Sequence, residues 1–274
     1  MTGIVVLALT ALSARAEQVT FPSLDATPIR AHVFQPARQP PRGTVVALHG
    51  CGGVYATAGS RKGELSARHR AYAGMLTGEG YAVVFPDSLA PRGETQICTQ
   101  RNGSRRITQA ERRADALGAM AWVAAQPWAR PDRIALLGWS NGGSAVLSAT
   151  DASRRDVRAQ PTRPVLAIAF YPGCGVPLKS GYRPTTRLVM LLGEKDDWTP
   201  PGPCIELGRS VDAQVHVYAD SHHGFDNPVG QVRLLKEVPN GANPGQGVHS
   251  GRNPEAAQQS GDRVRELLRD AFGP

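Results

Sequence analysis

RIALLGWSNGGSAVLSAT, residues 133–150, decides the fold. Its first six residues, Arg133–Gly138, form a short continuous apolar run, as a strand buried on both faces should. Its last seven, SAVLSAT, are compatible with a helix starting near Asn141. Between them lies Gly138-Trp139-Ser140-Asn141-Gly142, a Gly-x-Ser-x-Gly motif. A strand that turns this sharply into a helix has no room for side chains at the two glycine positions. The serine then projects with its Oγ exposed. The helix places backbone N–H groups and its positive dipole end beside that oxygen. The plain alternative is a glycine-rich βα turn with a solvated serine. The flanking strand and helix argue against it.

Working outward, strand-like and helix-like runs alternate. Gln18–Ser23 and Ile29–Gln35 read as a hairpin pair. Thr44–His49, Tyr81–Pro86, Pro164–Tyr171 and Arg187–Leu192 are further apolar strands, and Gln214–Tyr218 is the last strand. Helices are expected over Arg61–Thr77, Ile107–Ala125, Asn141–Ala149 and Pro254–Phe272. In the second of these, Ala114, Leu117, Ala121 and Trp122 form the apolar face. The pattern predicts an α/β architecture, a mostly parallel sheet of about eight strands with helices on both faces. Residues 225–253 have no firm periodicity and read as a long functional or mobile loop.

A serine is inert at neutral pH without a base. Strand-end acids and histidines supply candidates in the order that this turn requires. Past RLVMLL comes GEKDDWTP (193–200), with Asp196 and Asp197. Past QVHVY comes ADSHHGFD (219–226), with His222 and His223. Either member of each doublet fits, the other being a turn or loop residue. His32, His69, His216 and His249 lack this context and read as structural or surface residues. The short spacings leave no room for a large cap domain, so an open site is expected. Two oxyanion donors are also needed. The backbone N–H of Asn141 is one candidate. The loop HGCGG (49–53) after TVVAL supplies the other, at Cys51 with Gly52 close behind. Trp139, Trp198 and Arg92 are candidate substrate contacts, Arg92 having a structural role as its stronger alternative.

The 274 residues are 41% hydrophobic and 20% charged, a globular composition that excludes wholesale disorder. No apolar run reaches 18 residues, so no ordinary membrane span is expected. The net charge is +8, but Lys62, Lys179, Lys195 and Lys236 are the only lysines and the arginines come in scattered pairs. That distribution argues against a nucleic-acid partner. MTGIVVLALTALSARA (1–16) has an apolar core followed by Ala14-Arg15-Ala16, the pattern of a signal peptide, although no basic residue precedes the core. The expected organisation is a leader over 1–16 and one domain over 17–274, exported to the periplasm or beyond. Four cysteines and no CxxC pair then indicate two disulfides rather than zinc. Of three pairings, Cys51–Cys98 with Cys174–Cys204 is preferred, since each ties neighbouring loops on one side of the fold.

The motifs LHGCGG (48–53), FPDS and PRG (85–93), GWSNGG (138–143), YPG (171–173), GEKDDWTP (193–200) and HHGFD (222–226) together resemble the dienelactone hydrolase family of the α/β-hydrolase superfamily. The resemblance implies an α/β-hydrolase fold. It also implies Asp196 as the acid, fourth in the G-x-x-D turn, and His223 as the base, two before a Phe, with Asp197 and His222 in reserve. The prototype of that family uses a cysteine nucleophile held by a glutamate. Here Ser140 stands in its place and the HGCGG loop has no Glu, so dienelactone itself is not the expected substrate. The chain is more similar to exported members with unassigned substrates. The expected activity is a serine hydrolase acting on a small carboxylic ester or lactone, without metal or organic cofactor. A peptidase or polyester depolymerase with the same triad is the alternative, and a non-catalytic binding protein of this fold is a third reading.

Overall fold

The structure is a computed structural model that describes residues 15–273. Residues 1–14 of the expected leader lie outside the described residues, while Arg15 and Ala16 open the first strand. The strands of the main sheet are β1 (Arg15–Pro22), β2 (Pro28–Gln35), β3 (Thr44–Leu48), β4 (Ala82–Pro86), β5 (Ile134–Trp139), β6 (Leu166–Phe170), β7 (Arg187–Gly193) and β8 (Gln214–Tyr218). Their spatial order is β1-β2-β4-β3-β5-β6-β7-β8. The first two form the expected hairpin, and β2 pairs antiparallel with β4. Every pairing from β4 to β8 is parallel.

The strand period of two divides the core. Along β3, Val46 and Leu48 face one apolar layer, Val45 and Ala47 the other. Among the described residues the α-helices are α1 (Ala67–Gly78), α2 (Gln109–Ala124), α3 (Asn141–Ala149), α4 (Arg155–Arg158), α5 (Gly175–Lys179), α6 (Gly202–Ser210) and α7 (Pro254–Phe272). On the first face pack Leu117 and Met120 of α2, Val146 of α3 and Leu207 of α6. On the second pack Tyr72 and Leu76 of α1 and Val264, Leu268 and Phe272 of α7. Each such fully buried side chain contributes roughly 1.5–3 kcal/mol. Strands covered on both faces explain why their sequences are unbroken apolar runs.

Three expectations change. The first helix starts at Ala67, not near Arg61. Gly59 and Gly63 take positive φ, the chain makes a turn there, and Ser66 caps the helix by accepting from the His69 N–H. In α2 the buried face runs through Ala116, Ala119, Met120 and Val123 beside Leu117, while Ala121 is exposed. Its start is set by a capping box, Thr108 with Glu111. Third, the segment after Phe225 is not structureless. It carries a two-stranded hairpin, β9 (Arg233–Leu235) with β10 (Val248–Ser250).

Candidate active site

The loops following β3, β5, β6, β7 and β8 meet at the carboxyl edge of the parallel strands, where open α/β sheets bind ligands. Ser140 sits between β5 and α3 with φ 55° and ψ −117°, a backbone state that costs a non-glycine residue about 1–3 kcal/mol. The glycines around it are steric necessities. A Cβ at Gly142 would overlap the Leu48 carbonyl oxygen, and one at Gly138 would overlap the Gly142 carbonyl oxygen. The Ser140 N–H donates to the Phe170 carbonyl at 2.9 Å, which ties the turn to β6. Its Oγ makes no hydrogen bond among the described residues.

Asp196 follows β7 and is 4% exposed. Four donors converge on its carboxylate. The Trp198 and Thr199 N–H groups donate to Oδ1 at 2.9 and 2.8 Å. The Thr199 hydroxyl and His223 Nδ1 lie 3.0 and 2.8 Å from Oδ2. That network assigns the proton to Nδ1 and leaves Nε2 of His223 as the proton acceptor. The His223 ring is 4% exposed, held between Tyr171 (4.4 Å between centroids) and Trp198 (4.6 Å). Its carbonyl accepts from the Gly251 N–H and the Ser250 hydroxyl. Trp198 and Thr199, which touch His223, line the same cavity as Ser140.

That cavity has a volume of about 690 Å³ and is also lined by Cys51, Asn141 and Asn240. Neither the Cys51 nor the Asn141 N–H donates a hydrogen bond among the described residues, so both remain available to a ligand. The loop carrying Cys51 is fastened from below. His49 is fully buried, with Nδ1 2.7 Å from the Gly50 carbonyl and Nε2 accepting from the Ser88 N–H. Burial, and then the Arg112 charge, hold its imidazole well below the usual value, so it stays neutral. Arg112 itself is buried in α2 and donates to the His49 carbonyl at 2.6 Å. Burial brings its guanidinium down to about 10. The Cys51–Cys98 disulfide and the Ile97 N–H to Cys51 carbonyl bond complete the fastening. The second disulfide joins Cys174 to Cys204, so the preferred pairing is the one present.

Two candidate substrate contacts are corrected. Arg92 spends its guanidinium on a two-pronged pair with Asp115 (2.8 and 2.9 Å), on Asp25 and on the Ser88 carbonyl. It does not line the cavity. Trp139 has no exposed surface and packs among His69, Tyr72 and Phe170. Its neighbour in sequence faces the site because side chains alternate along a strand. Trp198 does line the cavity.

Other residues escaped the sequence reading. Arg105, half-buried in the cavity wall, makes no ion pair among the described residues, its Nε has no partner, and burial lowers its basicity. Arg68 of α1 pairs with buried Asp226 at 3.1 Å, and the Tyr171 hydroxyl donates to the same carboxylate. This pair supports the Tyr171 ring on which His223 rests. Tyr171 and Asp226 lie in the YPG and HHGFD stretches, which was their only signal. The reserve residues Asp197 and His222 turn away from Asp196 and His223. They meet His249 of β10, and one ligand atom from each of the three lies within 4.8 Å of the others.

The dienelactone hydrolase family model matches residues 29–272. Two strains of Mycobacterium tuberculosis carry a relative that is 30% identical over 211 residues, 73% of this chain, and whose name assigns it provisionally to phosphoribosyl transferases. The chain spans about two fifths of the length of those curated relatives, 40% of each. Similar solved structures include a dienelactone hydrolase-like promiscuous phosphotriesterase, P91, from metagenomic libraries. It has a TM-score of 0.66 at 19% identity, covering 95% of this chain and 99% of that one. A dienelactone hydrolase from Anabaena variabilis gives 0.63 at 14%, covering 94% and 98%. Esterase 2 of Thermogutta terrifontis, phosphorylated by paraoxon, gives 0.63 at 16%, covering 93% and 94%.

Proposed function

The chain belongs to the dienelactone hydrolase family, and from that premise we propose that it is a serine hydrolase cleaving carboxylic esters or lactones through an acyl-enzyme on Ser140. The observation that carries this reading is a strained elbow serine that lines the cavity, together with a buried Asp196–His223 pair at 2.8 Å whose neighbours Trp198 and Thr199 line the same cavity. His223 Nε2 takes the Ser140 proton as Oγ attacks the carbonyl carbon. Asp196 holds the imidazole in the required tautomer and stabilises its cation. The Cys51 and Asn141 N–H groups receive the oxyanion, each contributing roughly 3–4 kcal/mol to lowering the barrier. His223 then protonates the leaving alcohol, and water activated by the same residue releases the acid. Arg105, with no acidic partner among the described residues, favours substrates that bring a negative charge into the cavity.

The similar folds of a promiscuous phosphotriesterase and of an esterase phosphorylated by paraoxon support a phosphoryl ester as a probe of Ser140. The two disulfides are consistent with an oxidising compartment, which supports export of a single hydrolase domain. The test is hydrolysis of p-nitrophenyl esters, acetyl to dodecanoyl, by the protein and by Ser140→Ala, with paraoxon labelling in parallel. The variant is expected to lose at least about a thousandfold in kcat and all labelling. Retention of a few per cent of the rate would remove Ser140 from the mechanism. Labelling without turnover of any of these p-nitrophenyl esters would instead favour peptide or polyester substrates.

A further inference from the structure

The two doublets that line the site from behind have a second product. Asp196 and His223 face each other, so the adjacent residue in each loop, Asp197 after the one and His222 before the other, is turned to the opposite side. There the hairpin arrives. The His249 backbone N–H donates to Asp197 Oδ1 at 2.8 Å, and His249 Nδ1 lies 2.7 Å from Oδ2. The His222 ring stands 5.2 Å from the His249 ring, centroid to centroid, and is tilted 39° to it. His222 Nδ1 is buried and has no hydrogen-bond partner, an arrangement that costs free energy unless something occupies it.

We propose that Asp197, His222 and His249 form a binding site for one zinc-class divalent ion, which clamps the β9–β10 hairpin onto the loops that carry Asp196 and His223. Two imidazoles and a carboxylate, with room left for water, suit zinc and its transition-metal neighbours and not the all-oxygen preference of calcium or magnesium. Ligand atoms bound at about 2.0–2.2 Å in a tetrahedron stand roughly 3.3–3.5 Å apart. The three atoms already lie within 4.8 Å, and all three side chains are partly exposed, so small rotations close the set. The His249 N–H on Oδ1 keeps the carboxylate aimed while Oδ2 turns to the ion, the outer hydrogen bond that ligating carboxylates commonly have. The neighbouring cation, Lys195, is occupied by Asp220 and does not compete for Asp197.

The ion sits behind the reacting groups, so it acts on the hairpin and takes no part in ester cleavage. The hairpin segment matters to the site because Asn240, Gly241 and Ala242 line the cavity, and the Ala242 N–H donates to the Asp197 carbonyl at 2.8 Å.

The test is titration of the metal-free protein with zinc chloride by calorimetry, repeated with cobalt chloride for its visible absorption. The same titrations are run on His222→Gln, His249→Gln and Ser140→Ala. One ion per chain is expected for the parent and for Ser140→Ala, with binding weakened at least about tenfold in both histidine variants. Zinc should also slow proteolysis within residues 226–253 of the parent. His222 makes no side-chain hydrogen bond among the described residues, so His222→Gln keeps the test intact if His249→Gln fails to fold. No zinc binding by the parent, or equal binding by parent and His222→Gln, would overturn the proposal. Because Ser140→Ala is expected to bind zinc, failure here is distinguishable from failure of the hydrolase reading.

Discussion

Asp196 accepts four hydrogen bonds, three of them from its own turn, and the fourth orients His223. A carboxylate so surrounded acts by fixing a ring, and changing it to an amide keeps the shape while presenting the wrong group to Nδ1. Asp196→Asn is therefore expected to lower kcat by about 10⁴-fold with a much smaller change in KM. A loss below tenfold in ester hydrolysis would show that His223 does not depend on it. The corresponding change at Asp197 acts on the hairpin through His249 instead. Spacing alone could not choose within either doublet, because adjacent loop residues have nearly the same sequence separation from Ser140 and differ in the direction their side chains take. Family pattern named Asp196 and His223, and these are the two that the structure brings together. Arg92 takes the structural role that was its stronger alternative, although its partner Asp115, 23 residues away, was not legible locally; Trp139 was misread because nothing in its local sequence reveals the aromatic layer over α1.

At the scale of elements, the loop that follows β3 and the helix α1 each carry a buried neutral histidine under the site. His69 of α1 has Nδ1 2.9 Å from the Val54 carbonyl, and its ring packs on Phe85 and Trp139. Burial brings it from 6.5 to about 3, and His49 is held well below 6.5 as well. Below about pH 6.5 the unfolded chain binds these protons and the folded chain does not. Stability from this source is complete above that pH and falls on acidification, by about 1.4 kcal/mol per pH unit for each histidine, until the folded form also protonates. Urea unfolding between pH 7 and pH 5 should show that slope, and it should be shallower in His69→Gln. An identical slope in the variant would mean that His69 titrates normally. The central strands were readable because both their faces are buried. The start of α1 and the exposed Ala121 were not, since alanine and arginine mark a helix without saying which side meets the sheet. The helices α4 and α5 are too short to show a period, and β9–β10 holds three residues per strand.

For the whole molecule, the two covalent bridges lie on the edge of the sheet where the site loops gather. They close loops of 47 and 30 residues. Loop entropy assigns roughly 3.5–4 kcal/mol to each as an upper estimate. The pair Cys51→Ser/Cys98→Ser should lower the urea midpoint and also kcat, because it frees the HGCGG loop. Cys174→Ser/Cys204→Ser should lower the midpoint with less effect on kcat. An unchanged midpoint in both would mean that the reduced, unfolded chain is already as constrained as the oxidised one. A mostly parallel sheet of about eight strands was legible from the apolar runs, and the presence of two bridges from the cysteine count, but the spatial order of the strands was not. The partner of each site residue across the sheet was not, since those contacts join segments far apart in the chain.

The bridges also set how the molecule bears load. Pulled from its two ends, the oxidised chain cannot pay out the segments between its bridged cysteines, which stand 47 positions apart in one loop and 30 in the other. At about 3.4 Å per residue, that withholds roughly 160 Å and roughly 100 Å of contour length. The larger of these hidden lengths includes β4, and the smaller includes β7. Tension transmitted through an oxidised chain therefore bypasses two strands of the sheet, and a reductant determines whether they can be drawn out at all.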